Sequence, residues 1–319
     1  MEKHLEVICV GMAVADVLVQ GVSEIPREGR TNLVKGINIS TGGDAVNEAI
    51  TLARLGHRVG LMTLVGNDLQ GDFIVSHCQK NGVDVSTVAR TSEHPTATSI
   101  VLINESGERS FLSQPDTALD AFSLEHIDLE RIRPDLKVLS VGSLFCGKGM
   151  HSEALRKILE RAKGAGAITV ADFVPSQEGE GLKAISGVLE LVDFAVPSRE
   201  EAVLYAEAKD LEEIAKVFFR YGVKNVLVKL GREGVSVHTG RNRFRLGLYP
   251  AVAVDTTGAG DSFVAGFISG LLRKEPLLDC VKCGAATASI AIQSVGATTG
   301  VQSLEQVKDV IRRHEISVF

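Results

Sequence analysis

Residues 255–261 read DTTGAGD and run straight into the apolar SFVAGF. Gly258 and Gly260 let the backbone bend so that successive N–H groups point outward where a helix begins, and a helix N-terminus also carries partial positive charge. That combination is an anion hole, suited to a phosphate group. Asp261, in the first turn, places a carboxylate on the same side. Beside a bound phosphate a carboxylate is repelled unless it handles a proton or a metal. Aspartate is also a good helix cap, so taken alone Asp261 is equally open to a purely structural role.

The elements that must hold this loop follow from local pattern. AVAVD (251–255) reads as a strand, TTGAG (256–260) as a tight turn and DSFVAGFISGLL (261–272) as a helix. Upstream, short apolar runs recur at 7–12, 59–66, 137–144, 167–173, 192–198 and 225–231, the signature of strands buried on both faces. Amphipathic segments at 44–56, 151–166, 198–208 and 210–222 lie between them, and PLLDCVKCGAATASIAIQSVGATTG (276–300) reads as a small-residue helix entering a Gly/Thr loop. Alternating strand and helix implies an α/β doubly wound parallel sheet with helices on both faces. Two segments, about 13–40 and 96–114, break the rhythm. They are expected to form extra antiparallel strands of a small β-rich flap, the second turning at Asn104-Glu105-Ser106-Gly107. An uncovered flap face would suit a homodimer contact. No repeat or linker divides the chain, so residues 1–319 are read as one main domain carrying a lid.

The string DTTGAGDSF resembles the C-terminal signature of the PfkB, or ribokinase-like, family of sugar and nucleoside kinases. STGGDAVNEAITLARLG (40–56) resembles the family's other signature, a Gly-Gly turn followed by a helix bearing an Asn. Both occur in the family's order, and the resemblance extends over essentially the whole chain. It implies a ribokinase-like fold, a mostly parallel sheet flanked by helices with a lid. It also implies ATP-dependent phosphorylation, with Mg²⁺, of a hydroxyl on a ketose, hexose derivative or sugar acid.

Residue by residue, the resemblance makes Asp261 the general base and the N–H groups of Gly258, Ala259 and Gly260 the holders of charge on the transferred phosphoryl group. Asp255 and Thr257 match positions that in many members help bind a monovalent cation such as K⁺, with carbonyls of the 294–300 loop, where Gly296 fits. Asp16, Gly42, Gly43 and Asn47 resemble sugar-binding residues. In AVPSREEA (195–202), Glu201 matches the Glu that organises Mg²⁺ through water, while Ser198 replaces the usual Asn and equally reads as a helix cap in a capping box with Glu201. VKLGREGV (228–235) resembles the nucleotide-site strand and turn, with Lys229, Gly231 and Gly234 near the phosphates or ribose. A surface lysine at a strand end is the alternative for Lys229. Gly284 is expected to leave room for the adenine. Asp44 stands where ribokinases proper usually carry a lysine, which argues against ribokinase itself. Arg109, on a flap strand, is expected to be solvated, with a sugar-acid carboxylate as its alternative partner.

Composition agrees with an enzyme. The 319 residues are 45% hydrophobic and 23% charged with net charge -6, unlike a nucleic-acid binder. The N-terminal run is too short for a signal segment, and no stretch approaches the roughly 18 apolar residues of a membrane span, so a cytoplasmic protein is expected. Cys9, Cys78, Cys146, Cys280 and Cys283 form no even framework and are expected to be reduced, buried thiols. The first strand ends VGMAVAD without G-x-G-x-x-G, and no G-x-x-x-x-G-K-[ST] occurs, which disfavours a dinucleotide oxidoreductase and a P-loop NTPase. A nucleoside kinase, or a non-catalytic sugar sensor on the same scaffold, are the remaining alternatives.

Overall fold

The run VICV is completely buried, and its side chains alternate between two cores: Val7 and Cys9 join one, Ile8 and Val10 the other. Such a strand needs helices on both sides. The computed structural model describes residues 4–25, 28–105, 108–145, 147–176 and 179–319. From the N-terminus the chain forms β1 (Val7–Val10), β2 (Val14–Gln20), β3 (Gly36–Gly42), α1 (Asp44–Arg54), β4 (Val59–Met62), β5 (Leu64–Gly66), α2 (Leu69–Lys80), β6 (Ala89–Thr91), β7 (Thr98–Ile103), β8 (Arg109–Ser113) and α3 (Ala118–Ala121). It continues with β9 (Val138–Leu144), α4 (Ser152–Gly164), β10 (Ile168–Phe173), α5 (Ser186–Leu189), β11 (Phe194–Ala195), α6 (Arg199–Ala206), α7 (Leu211–Arg220), β12 (Asn225–Lys229), β13 (Val235–Thr239) and β14 (Arg243–Leu246). It closes with α8 (Ala259–Leu272), α9 (Leu277–Ala291) and α10 (Leu304–Arg313).

Eight strands form the main sheet in the order β14-β13-β12-β11-β10-β9-β1-β4. Pairing is parallel from β4 to β12 and antiparallel at the β12-β13-β14 edge. The expected doubly wound, mostly parallel sheet is therefore present. Apolar residues of α4 to α7 cover one face, and those of α1, α8 and α9 cover the other.

The two segments that break the alternation supply a separate small sheet, β3-β2-β7-β8. Its central pair, β2 with β7, is parallel, whereas antiparallel pairing throughout was expected. The two hairpins, β2-β3 and β7-β8, lie side by side with their first strands running the same way. Asn104 N–H donates to Glu108 O at 3.0 Å across the second turn, whose Ser106 and Gly107 lie outside the described residues.

Three boundaries depart from the sequence reading. The run at 59–66 is two strands, because after Thr63 the chain leaves the main sheet to pair β5 with β6. AVAVD is not a strand: Val254 and Asp255 both donate their N–H to Ile292 O, at 2.8 and 3.1 Å, tying the segment to the end of α9. The signature helix begins at Ala259, so Gly258 and not Asp261 is its cap, with φ at 69°. Cys9, Cys78, Cys280 and Cys283 are buried and unbridged, and Cys146 lies outside the described residues. No helix among the described residues is long and apolar enough to cross a membrane.

Candidate active site

Open parallel sheets leave a crevice at the carboxyl ends of their strands. Here β9, β10 and β12 end at or near Ser143, Asp172 and Lys229, and α1 and α8 begin beside them. A cleft of about 600 Å³ opens there, lined by Asp44, Asp172, Ser198, Glu201, Lys229, Gly231, Gly260 and Asp261 among others. A cavity of about 610 Å³ bordered by Lys183, Tyr205 and Tyr221 contains none of the signature residues.

The start of α8 is built on a glycine cap. Gly258 adopts the left-handed region, and a Cβ there would lie 2.6 Å from Ala297 Cβ, so only glycine fits. The first backbone bond of the helix runs from Ser262 N–H to Gly258 O at 2.8 Å, while Ala259 N–H closes the turn onto Thr256 O at 3.3 Å. Among the described residues the Gly260 N–H makes no backbone hydrogen bond.

Asp261 is brought together with four other residues, Asn47, Lys229, Asp172 and Asp44. Asn47 Nδ2, on α1, donates to Asp261 Oδ2 at 2.7 Å. Burial pushes the Asp261 carboxyl above the ordinary range, while the Asn47 bond and the Lys229 charge pull the other way. Lys229 Nζ pairs with Asp172, and a Cβ on Gly260 would come 3.2 Å from that nitrogen. Burial works against the Lys229 charge, but the carboxylates of Asp172 and Glu201 outweigh it and raise its pKa. Asp172 is pushed up to about 7 by burial, against the lowering effect of Lys229. Asp44, the first residue of α1, accepts from the Ser143 hydroxyl, and burial with the charges of Asp261 and Asp172 raises it strongly.

The other sequence candidates fall into three groups. Asp16, Gly42 and Gly43 meet at the root of the small sheet. A Cβ on Gly42 would lie 2.2 Å from Asp16 Oδ2, and one on Gly43, at φ 92°, would lie 2.4 Å from Met12 O. Burial lifts Asp16 to about 6, opposed by the Arg109 charge. Ser198 and Glu201 form the capping box: Ser198 N–H donates to Glu201 Oε2 at 2.7 Å and Glu201 N–H to Ser198 Oγ at 3.2 Å. Gly231 borders the cleft, whereas Gly234, at φ 90°, turns the chain into β13 against Leu246 O.

Two residues sit differently from expectation. Gly284 opens no space for a base; it is buried where α9 crosses α8, and a Cβ would meet Phe263 O at 2.8 Å. Arg109 is not solvated. It reaches from β8 to pair with Asp255, its side chain 17% exposed. Asp255 is thereby saturated: Thr257 N–H and Oγ1 donate to Oδ1 at 2.8 and 2.7 Å, and Gly296 N–H donates to Oδ2 at 2.9 Å.

Asp172, Ser143 and Glu48 were not singled out from the sequence. Asp172 had a usable signal, since it ends a buried parallel strand where such sheets place ligands. Glu48 lies one turn after Asp44, is fully buried, and accepts from Ser140 Oγ at 2.6 Å through Oε2. Its Oε1 and the Asn47 Oδ1 have no hydrogen-bond partner among the described residues.

The sequence model described as "pfkB family carbohydrate kinase" matches residues 4–304. A 5-dehydro-2-deoxygluconokinase of Geobacillus kaustophilus is 30% identical over 98% of this chain and 95% of its own length. A ribokinase of Staphylococcus aureus is 26% identical over 84% of this chain and 87% of its own. Among solved structures, a putative ribokinase II from E. coli in complex with ATP and Mg²⁺ superposes with a TM-score of 0.85 at 24% identity, over 97% of this chain and 100% of that one.

Proposed function

The chain belongs to the PfkB family of carbohydrate kinases, and we propose that Asp261 is the base that frees a sugar hydroxyl to attack the γ-phosphate of ATP. One observation carries this reading: the half-buried Asp261 carboxylate stands at a glycine-capped helix start, oriented by Asn47 and close to the Lys229 ammonium. A base placed there is held where attack has to occur. The amides of Gly258, Ala259 and Gly260 belong to the phosphoryl end, and Lys229 and Gly231 to the nucleotide side.

The sugar side offers acceptors. Asp16, Asp44 and the unpartnered Asn47 Oδ1 all accept hydrogen bonds, which suits a polyhydroxylated substrate better than a nucleobase. Asp44, in place of the lysine usual in ribokinases, and the name of the Geobacillus kaustophilus relative favour a sugar acid or ketose over ribose. Mg²⁺, bound with ATP, supplies charge neutralisation on the phosphates; Glu201, an oxygen donor bordering the cleft, is the residue that would hold it through water. The Asp255–Thr257 position does not fit a monovalent cation, because the Arg109 guanidinium and three hydrogen-bond donors already occupy the Asp255 carboxylate.

ADP release from Mg-ATP tests this across ketoses, aldoses, sugar acids including 5-dehydro-2-deoxygluconate, and nucleosides, with K⁺ present or replaced by tetramethylammonium. Turnover is expected with a sugar or sugar acid and with either cation. Turnover of nucleosides alone would overturn the sugar reading, and a tenfold or greater dependence on K⁺ would overturn the cation reading.

We further propose a homodimer through the outer face of the small sheet. Its register sets Val17 beside Ile39 and Ile100, and Ile100 beside Leu112, on one face. Ile37, Ile39 and Leu112 there are 65%, 64% and 55% exposed. An open apolar sheet face of this kind invites a partner. Light scattering should find the wild type dimeric and Ile39→Asp monomeric; a monomeric wild type at tens of micromolar removes the proposal.

A further inference from the structure

Lys229 ends β12, where its N–H donates to Pro197 O at 2.9 Å and fixes the backbone. From there the side chain runs back into the cleft. Its ammonium pairs with Asp172 at the end of β10, and Asp172 is itself held by the Phe173 N–H, which donates to Oδ1 at 2.8 Å. The two side chains are 16% and 5% exposed. A pair this buried is a poor stability device, because desolvation offsets most of the attraction, so its place in the fold calls for another reason. That place is specific. The nitrogen hangs over Gly260, 3.2 Å from where a Cβ would be, in the first turn of α8 and next to Asp261. A lysine serving only to bind the ATP tail would sit away from the base. This one stands beside the first turn of α8 and the Asp261 carboxylate.

We propose that Lys229 is a catalytic cation that contacts the phosphoryl group in transit, and that Asp172 is the positioning residue that aims it. In the step, the bond from the γ-phosphorus to the β,γ-bridging oxygen breaks as the bond from phosphorus to the sugar oxygen forms. The hydroxyl proton passes to Asp261, and ADP leaves with the bridging electron pair. Charge building on the equatorial oxygens is met by Lys229 from one side and by the α8 amides from the other. Gly260 keeps the two sides within reach of one group, because any side chain there would press on the ammonium.

The inference rests on the kinase reading of Asp261, and the two fail differently: Asp261→Asn retaining turnover would sink that reading, Lys229→Met retaining it would sink this one. The experiment is a double-mutant cycle in steady-state kinetics with the sugar that the wild type turns over. Lys229→Met should lower kcat about 10²-fold, the usual weight of one oxyanion donor, with KM for ATP changed only a few-fold. Lys229→Arg should recover part of the loss. Asp172→Asn should lower kcat about tenfold, and Asp172→Asn/Lys229→Met should be no slower than Lys229→Met, because Asp172 then has nothing to aim. Losses that multiply in the double variant would show that Asp172 acts on its own and overturn its positioning role. A Lys229→Met variant that raises KM for ATP at unchanged kcat would make Lys229 a ground-state contact and overturn the proposal. Should a single variant fail to fold, the double variant, which removes both buried charges together, decides alone: kcat within threefold of wild type would refute the catalytic cation.

Discussion

Asp261→Asn should lower kcat by roughly 10²–10⁴-fold, the weight of general-base catalysis, while leaving sugar affinity nearly unchanged. The amide keeps the shape of the carboxylate and an oxygen that can still accept from Asn47 Nδ2, so α8 and the amides of its first turn stay in place. What is lost is the proton acceptor. The wild-type pH profile carries a second mark of the same group. Burial lifts the Asp261 pKa above the ordinary carboxylate range, and a base works only when deprotonated. Turnover should therefore fall as pH drops through that raised value, along an acid limb lying above the usual aspartate range. In Asp261→Asn that limb should be missing from the residual activity. Steady-state kinetics against pH, with sugar binding measured by calorimetry without ATP, reads both effects. Near-wild-type turnover of the variant on a substrate the wild type accepts would show that Asp261 merely shapes the helix start.

Asn47 and the glycine turn at 256–260 were readable beforehand, though not which residue caps the helix, because each belongs to a short contiguous pattern. The Gly-Gly turn and the helical period of 44–56 place Asn47 on the inner face of α1, and Gly258 is forced by a tight turn. Continuous apolar runs likewise made the parallel sheet legible, since a strand buried on both faces leaves little room for polar residues. What stayed hidden was pairing across distance. Asp172 and Lys229 are 57 residues apart, and Arg109 and Asp255 are 146 apart. Each half of these pairs has a sufficient local explanation, a strand end or a turn. Only the fold makes them partners. The antiparallel edge β13-β14 and the failed strand at 251–255 were obscured for a related reason: alternating valines and alanines fit a strand, but the backbone there finds its acceptor at the end of α9.

Glu48 shows how a correct helical pattern conceals a charge problem, and it yields the second large effect. Its period puts it on the inner face of α1, fully buried, with one oxygen served by Ser140 and the other by nothing among the described residues. Burial pushes its pKa well above the ordinary glutamate value, Ser140 opposes this, and the charges of Asp172 and Asp261 add to it. A group whose folded pKa is raised binds more protons in the folded state than in the unfolded one. Stability is therefore greatest below the unfolded pKa, about 4.3 for glutamate, and declines as pH rises toward the folded value. For one proton the decline is about 1.4 kcal/mol per pH unit. Glu48→Gln keeps the shape and an oxygen for Ser140 but cannot ionise. It should match the wild type at about pH 4 and exceed it by a margin that grows as pH rises toward the folded pKa and levels off above it. Asp16 and Asp172, also raised, contribute the same slope to both proteins and largely cancel in the difference. Denaturant unfolding at about pH 5, 7 and 9 measures that difference directly. A variant destabilised equally at all three would mean that the Ser140 bond to a charged Glu48 stabilises the helix start, so the carboxylate under the active site would be an asset to the fold and not a cost.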